Sequence, residues 1–376
     1  MNYKKMFFVA TLAIITVCLM ISGCGKREPD IIKIGSVLPL TGELAIYGEK
    51  CKKGMDVAVG LINEKGGIDG RQIEVLYEDS KSIASDGVSA AQKLVTVDKV
   101  QAIVGEVSSS ISLAIVPVID NAKVVLFSPA SSSPTLSGAS KYFVRNWPSD
   151  VAEASQLADL AYDTLGLRKA AIMYANNDYG LGLKDKFQAQ FTARGGQVVA
   201  TEPYPVGHND FKTIIQKIKA KNPDAVFLGG YKEMGIATKQ IREQGLKVQI
   251  LACTNYGDNE ILTTAGRAAE GAIFGTPVYS PEESRDSAIV EFVEAYKKTF
   301  NELPSLFEAN GYDAVMIIAK AIEERGNDGT KVAEYIRDLK NYGGGAGLVS
   351  FDSNGDVQRA IGFKMVRNRT FVAFGK

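Results

Sequence analysis

Histidine is almost missing from this chain of 376 residues, with His208 alone, and tryptophan likewise occurs once, at Trp147. A single imidazole leaves a His-based metal centre or a Ser-His nucleophile pair little to draw on, so neither an enzyme nor a metal protein is expected. Cysteine is also scarce. Its four positions are Cys18, Cys24, Cys51 and Cys253, which form no disulfide framework. Cys51 and Cys253 are read as free thiols. No charge of one sign dominates, since 43 basic side chains face 43 acidic ones, and no imbalance points to nucleic acid or an anionic surface. The pattern G-x-x-x-x-G-K-[ST] is absent, and "GLGLKD" has Asp185 where a dinucleotide loop needs its third glycine. No cofactor is expected.

What is present begins with "MNYKKMFFVATLAIITVCLMISGC", residues 1–24. Basic Lys4 and Lys5, an apolar stretch and then small residues make a secretory signal. Its apolar run falls short of the ~20 residues a spanning helix needs. The ending "ISGC" resembles the bacterial lipobox, which makes Cys24 the acylated first residue of the mature chain and places the protein outside the cytoplasm on a lipid anchor. Residues 25–30, "GKREPD", then read as a tether.

The rest, too long for one core, repeats one unit: a β-branched run, a polar break and a helical pattern. "VQAIVGEV" before "ISLAIVPVIDNAK" and "KAAIMYANND" before "GLGLKDKFQAQFTARGG" are examples. Strands alternating with helices predict an α/β protein with parallel sheets covered on both faces. The chain passes to a second domain near "VRNWPSD", where Pro148 disfavours helix at Trp147 and Ser149 or Asp150 suits an N-cap. Its end, "GLVSFDSNGDVQRAIGFKMVRNRTFVAF", reads as a β-rich tail with "SNGD" as a turn.

Two serine runs interrupt apolar strands: Ser108 to Ser110 in "AIVGEVSSSISL", and Ser131 to Ser133 in "VVLFSPASSSPTL". Ligands of open parallel sheets bind outside the carboxyl ends of strands. A helix start there offers free N–H groups and the positive end of a dipole, which with hydroxyls receives a carboxylate or phosphate. The same serines also read as plain helix caps or as an unliganded Ser-Pro loop, and both readings stand. Tyr179 and Tyr231 each follow an apolar strand and suit the wall of a small-ligand site.

Taken together, "GSVLPLTGELAIYGEKCKKGMDVAVGLINEKGGIDGRQIEVLYED", "IVGEVSSS", "FSPASSSPTL", "YANNDYGLGLKD" and "AEGAIFGTPVY" resemble the Leu/Ile/Val-binding protein family, receptors of ABC importers, from about Ile32 to the C-terminus. The resemblance implies a type I periplasmic-binding fold of two doubly wound lobes joined by three hinge crossings, near residues 147, 277 and 349. Lobe one would take 31–147 and 278–349, and lobe two 148–277 and 350–376. It also implies a monomer that closes on a small carboxylate or amino acid and presents it to an ABC permease.

Carried over, the ligand contacts fall on Tyr47, Ser109, Ala130, Ser131, Ser132, Tyr179 and Tyr231. The family's acid facing the ligand ammonium falls on Thr254, which is no acid, so Asp258 is the expected stand-in or else the ligand is a carboxylate without an amine. A disulfide found in some members is also missing, with Lys81 and Ser108 at its positions. The rival reading within this fold is a ligand-sensing regulator.

Overall fold

The computed structural model describes residues 31–375, so the signal segment, Cys24 and the tether lie outside the described residues. The chain begins with β1 (Ile32–Leu38), α1 (Ala45–Glu64), β2 (Ile73–Asp79), α2 (Ala84–Thr96), β3 (Ala102–Gly105), α3 (Ser109–Ala122), β4 (Val125–Ser128) and β5 (Phe143–Arg145). These strands form one parallel sheet in the order β2-β1-β3-β4-β5. β3 and β4 are buried at every position, as their unbroken apolar runs require of strands covered on both faces.

The second lobe follows: α4 (Asp150–Asp159), β6 (Lys169–Ala175), α5 (Asp178–Ala193), β7 (Gln197–Tyr204), α6 (Lys212–Lys219), β8 (Ala225–Gly229), α7 (Met234–Glu243), β9 (Gln249–Ala252), α8 (Asn259–Ala265) and β10 (Ile273–Pro277). The chain then returns to the first lobe with α9 (Ser287–Phe300), α10 (Leu306–Arg325), α11 (Gly329–Asp338) and the ribbon β11 (Tyr342–Gly344) and β12 (Gly347–Val349). It closes with β13 (Ile361–Arg367), antiparallel to β10, and β14 (Thr370–Ala373), antiparallel to β13, which complete a sheet in the order β14-β13-β10-β9-β8-β6-β7.

Helix α10 lies against α1 at backbone distance because both carry glycine at the crossing. A Cβ on Gly54 would stand 1.8 Å from the Glu308 carbonyl, and one on Gly311 would stand 2.2 Å from that of Cys51. Cys51 and Cys253 are buried free thiols, one in each lobe's core.

The third crossing is later than the sequence reading placed it. Residues 350–357, assigned there to the second lobe, pack on the first, with Phe351 and Val357 in its apolar core. The cause is Arg145, fully buried and bidentate to Asp356 at 2.7 and 3.0 Å. Backbone bonds from Arg145 N to Gly355 O and from Val357 N to Arg145 O fix the same segment. The chain crosses only at 358–360, beside the second crossing, where Val278 N donates to Ala360 O.

Candidate functional site

In the first sheet, the chain turns to opposite sides after β1 and β3, and the loops that follow these strands open onto the second lobe. In the second sheet the loops after β6, β8 and β9 face back. Between them lies a cavity of ≈ 20 Å³, about one water in size. From the first lobe it is lined by Leu44, Tyr47, Val107, Ala130 and Ser132, and from the second by Tyr179, Tyr231, Thr254 and Asn255. Trp147, at the first crossing, and Phe307, in the first turn of α10, complete it.

The serine runs are tied to each other. Ser109 Oγ accepts the backbone N–H groups of Ser132 and Ser133 at 3.3 and 3.1 Å. A hydroxyl has two lone pairs and one proton, so with both pairs taken Ser109 has its proton to give. Ser131 lies behind this layer, its Oγ donating to Glu106 O at 2.7 Å and meeting Ser112 Oγ at 2.8 Å. Arg145 donates to Ser133 O at 2.8 Å, which fixes the second run to the first crossing. Glu106 holds the base of the cradle, accepting from Ser80 Oγ and Ser108 N, each at 2.6 Å. Burial pushes its carboxyl up to about 7, against the pull of those bonds.

The opposite wall is aromatic. Tyr179 and Tyr231 stand 5.3 Å apart between ring centres, Tyr47 reaches across to Tyr231 at 6.1 Å, and Phe307 bridges Tyr47 at 5.2 Å to Trp147 at 4.7 Å. Both second-lobe phenols are held, Tyr179 Oη by Asn255 Nδ2 and Tyr231 Oη by Asn177 Nδ2, each at 3.2 Å. The lobes touch at the rim, where Ser133 Oγ donates to Asp178 O and Asp178 N donates to Ser110 Oγ. Two ion pairs also cross, Lys50 to Asp258 at 2.8 Å and Lys232 to Glu43 at 3.1 Å.

Of the residues singled out in the sequence, Tyr47, Ala130, Ser132, Tyr179 and Tyr231 meet at the cavity, with Ser109 and Ser131 directly behind. Asp258 does not join them. It faces the outer groove, where Lys50 engages one oxygen and the N–H of Glu260 the other as the cap of α8. Thr254 lines the cavity, and its backbone N–H donates to Glu153 Oε1 at 2.8 Å. Trp147 was legible only as a domain boundary, while Phe307, Asn255 and Glu153 carried no signal that set them apart.

Two αβ lobes with parallel sheets, joined by three strands of chain around a small lined cavity, define a two-lobed solute-binding protein. The chain matches the periplasmic binding protein family over residues 31–368 and belongs to it. It is 28% identical over 362 residues to Leu/Ile/Val-binding protein homolog 3 of Brucella melitensis, covering 95% of each chain. Its fold is similar to that of the leucine binding protein LivK of Thermotoga maritima, with a TM-score of 0.85 and 32% identity over 91% of this chain and 97% of that one. A solute binding protein of an ABC transporter from Rhodopseudomonas palustris, in complex with 3,4-dihydroxybenzoic acid, is similar with a TM-score of 0.80 and 26% identity, covering 92% of this chain and 97% of the other. The chain is thus a substrate-binding receptor of the ABC transporter class.

Proposed function

We propose that the protein captures a branched-chain or related amino acid outside the cytoplasm, on a lipid anchor at Cys24, and delivers it to an ABC permease as a monomer. The observation that carries this is Ser109, whose hydroxyl proton is left to donate at the start of α3 beside the Ala130–Ser132 loop. The ligand carboxylate docks there, on the first lobe. Tyr179, Tyr231 and the aromatic bridge of Trp147 and Phe307 then enclose an apolar side chain, and contacts that exist only when the lobes meet drive closure. The permease reads the closed state.

A second reading is favoured by one observation, the benzoate-type acid held by the Rhodopseudomonas relative. An aromatic carboxylate without an amine would use the same cradle and the same rings. A thermal-shift screen of refolded protein separates the two, because a solute that binds the folded state raises the melting point by mass action. Leucine, isoleucine or valine is expected to shift it. Shifts with benzoates alone would establish the second reading.

A further inference from the structure

Two buried acids lie directly behind the cavity lining, each bonded to a residue of that lining, and among the described residues neither forms an ion pair. Asp150 and Glu153 occupy the first turn of α4, three residues apart and so on one face of the helix, and are 1% and 3% exposed. Glu153 lies across β10, its Cγ 2.9 Å from where a Cβ on Gly275 would stand. Its Oε1 takes the N–H of Thr254, a residue of the cavity wall, and its Oε2 accepts no hydrogen bond from the described residues. Asp150 Oδ2 is buried without a hydrogen-bond partner. The charge of Asp150 is felt at both Tyr179 and Tyr231, and that of Glu153 at Tyr179, so both acids are electrostatically close to the cavity rings. The charge of Arg145 also reaches Asp150, but that guanidinium is engaged by Asp356.

A buried carboxylate without a countercharge costs several kcal/mol, and a helix start or a bond to one backbone N–H does not require it, since a glutamine would accept the same N–H. Two such groups on one face leave a site deficient in positive charge. We propose that Glu153, backed by Asp150, receives the cationic group of the solute, so that the receptor selects ligands bearing an ammonium beside their carboxylate. This rests on the carboxylate-receptor reading above and adds its selectivity. Glu153 is bonded to the backbone N–H of Thr254, so a carboxylate from a different element of the fold lies next to that residue of the cavity wall.

The test is calorimetric titration of the protein and of Glu153→Gln with the twenty amino acids and their deaminated counterparts. The best amino acid is expected to bind the native protein at least about tenfold more tightly than its counterpart. The substitution is expected to remove that margin while moving the counterpart by less than about threefold, since only a charged contact is lost. Equal binding of the amino acid by both proteins overturns the proposal. Binding of amine-free acids alone also overturns it but leaves the carboxylate receptor standing, whereas binding of neither class overturns that reading and the proposal with it. Should Glu153→Gln fail to fold, Glu153→Asp, which keeps the charge on a shorter arm, decides. A smaller margin between amino acid and deaminated counterpart supports the assignment, and an unchanged margin overturns it.

Discussion

The two walls of the cleft bury acids on opposite terms. On the first lobe, Glu106 has a hydroxyl on one oxygen and an N–H on the other, and its backbone carbonyl takes the protons of Ser128 and Ser131. On the second lobe, Glu153 has one donor and Asp150 keeps an oxygen without any. A buried polar group that is fully bonded rigidifies its surroundings, and one that is not is a debt the structure must meet from elsewhere. Glu106 is therefore part of a scaffold that holds two loops in register. Asp150 and Glu153 fit a surface completed by something that arrives.

The contrast breaks if the second wall does not in fact hold protons. Burial raises Asp150 from the ordinary carboxylate range to about 7, with Ser132 and Arg145 pulling the other way, and burial raises Glu153 well above its usual range with Asp150 adding to the rise. A carboxyl raised in the folded state binds more protons there than in the unfolded chain. Its stabilising contribution is complete below the unfolded value near 4 and is lost as pH rises through the folded value near 7. Asp150→Asn, which does not titrate, is expected to gain on the native protein by about 3 kcal/mol between pH 4 and pH 7 in urea unfolding without ligand. A constant difference across that range would show that Asp150 is ionised and paired.

A smaller effect sharpens the first wall. In Ser109→Ala the ligand carboxylate loses a donor, worth about 1.5–3 kcal/mol for a bond to a charged group, so affinity should fall at least about tenfold for any solute that raises the melting point. The N–H groups of Ser132 and Ser133 lose their acceptor in the same step, and unfolding in urea should show a cost of about 1–3 kcal/mol. Unchanged affinity would remove the cradle from the binding reaction and leave it a structural knot.

How much of this was legible follows from the reach of the interactions. Alternating strands and helices announced the parallel sheets because periodicity is local, and helix-start chemistry, also local, singled out the two serine runs that the fold bonds together. The tail after β12 misled because "FDSNGDV" reads as more of the same β-rich segment. What detains it on the first lobe is an ion pair between Arg145 and Asp356, 211 positions apart. Glu153 was invisible for another reason: an acid in the first turn of a helix is ordinary as a complement to the dipole, and only tertiary packing decides that it is sealed from water. The ion pair of Asp258 was hidden by the same lack of distant information, its partner Lys50 lying 208 positions away.

That pair also provides the smallest test, one that compares the rim of the cleft with its interior. Lys50 and Asp258 join the lobes at 2.8 Å with side chains 27% and 12% exposed, so solvent screens them in part. Partly exposed ion pairs contribute between about 0.2 and 1 kcal/mol. Because the pair joins opposite lobes, its worth is counted only in the closed state and passes directly into apparent ligand affinity. Lys50→Ala and Asp258→Ala are each expected to weaken binding by no more than about fivefold, with the double variant no weaker than the worse single one, and 0.5 M salt should reduce the effect in the native protein. A loss larger than that of Ser109→Ala would place the ammonium site at Asp258 after all, at the rim instead of the interior, and would take Glu153 out of recognition.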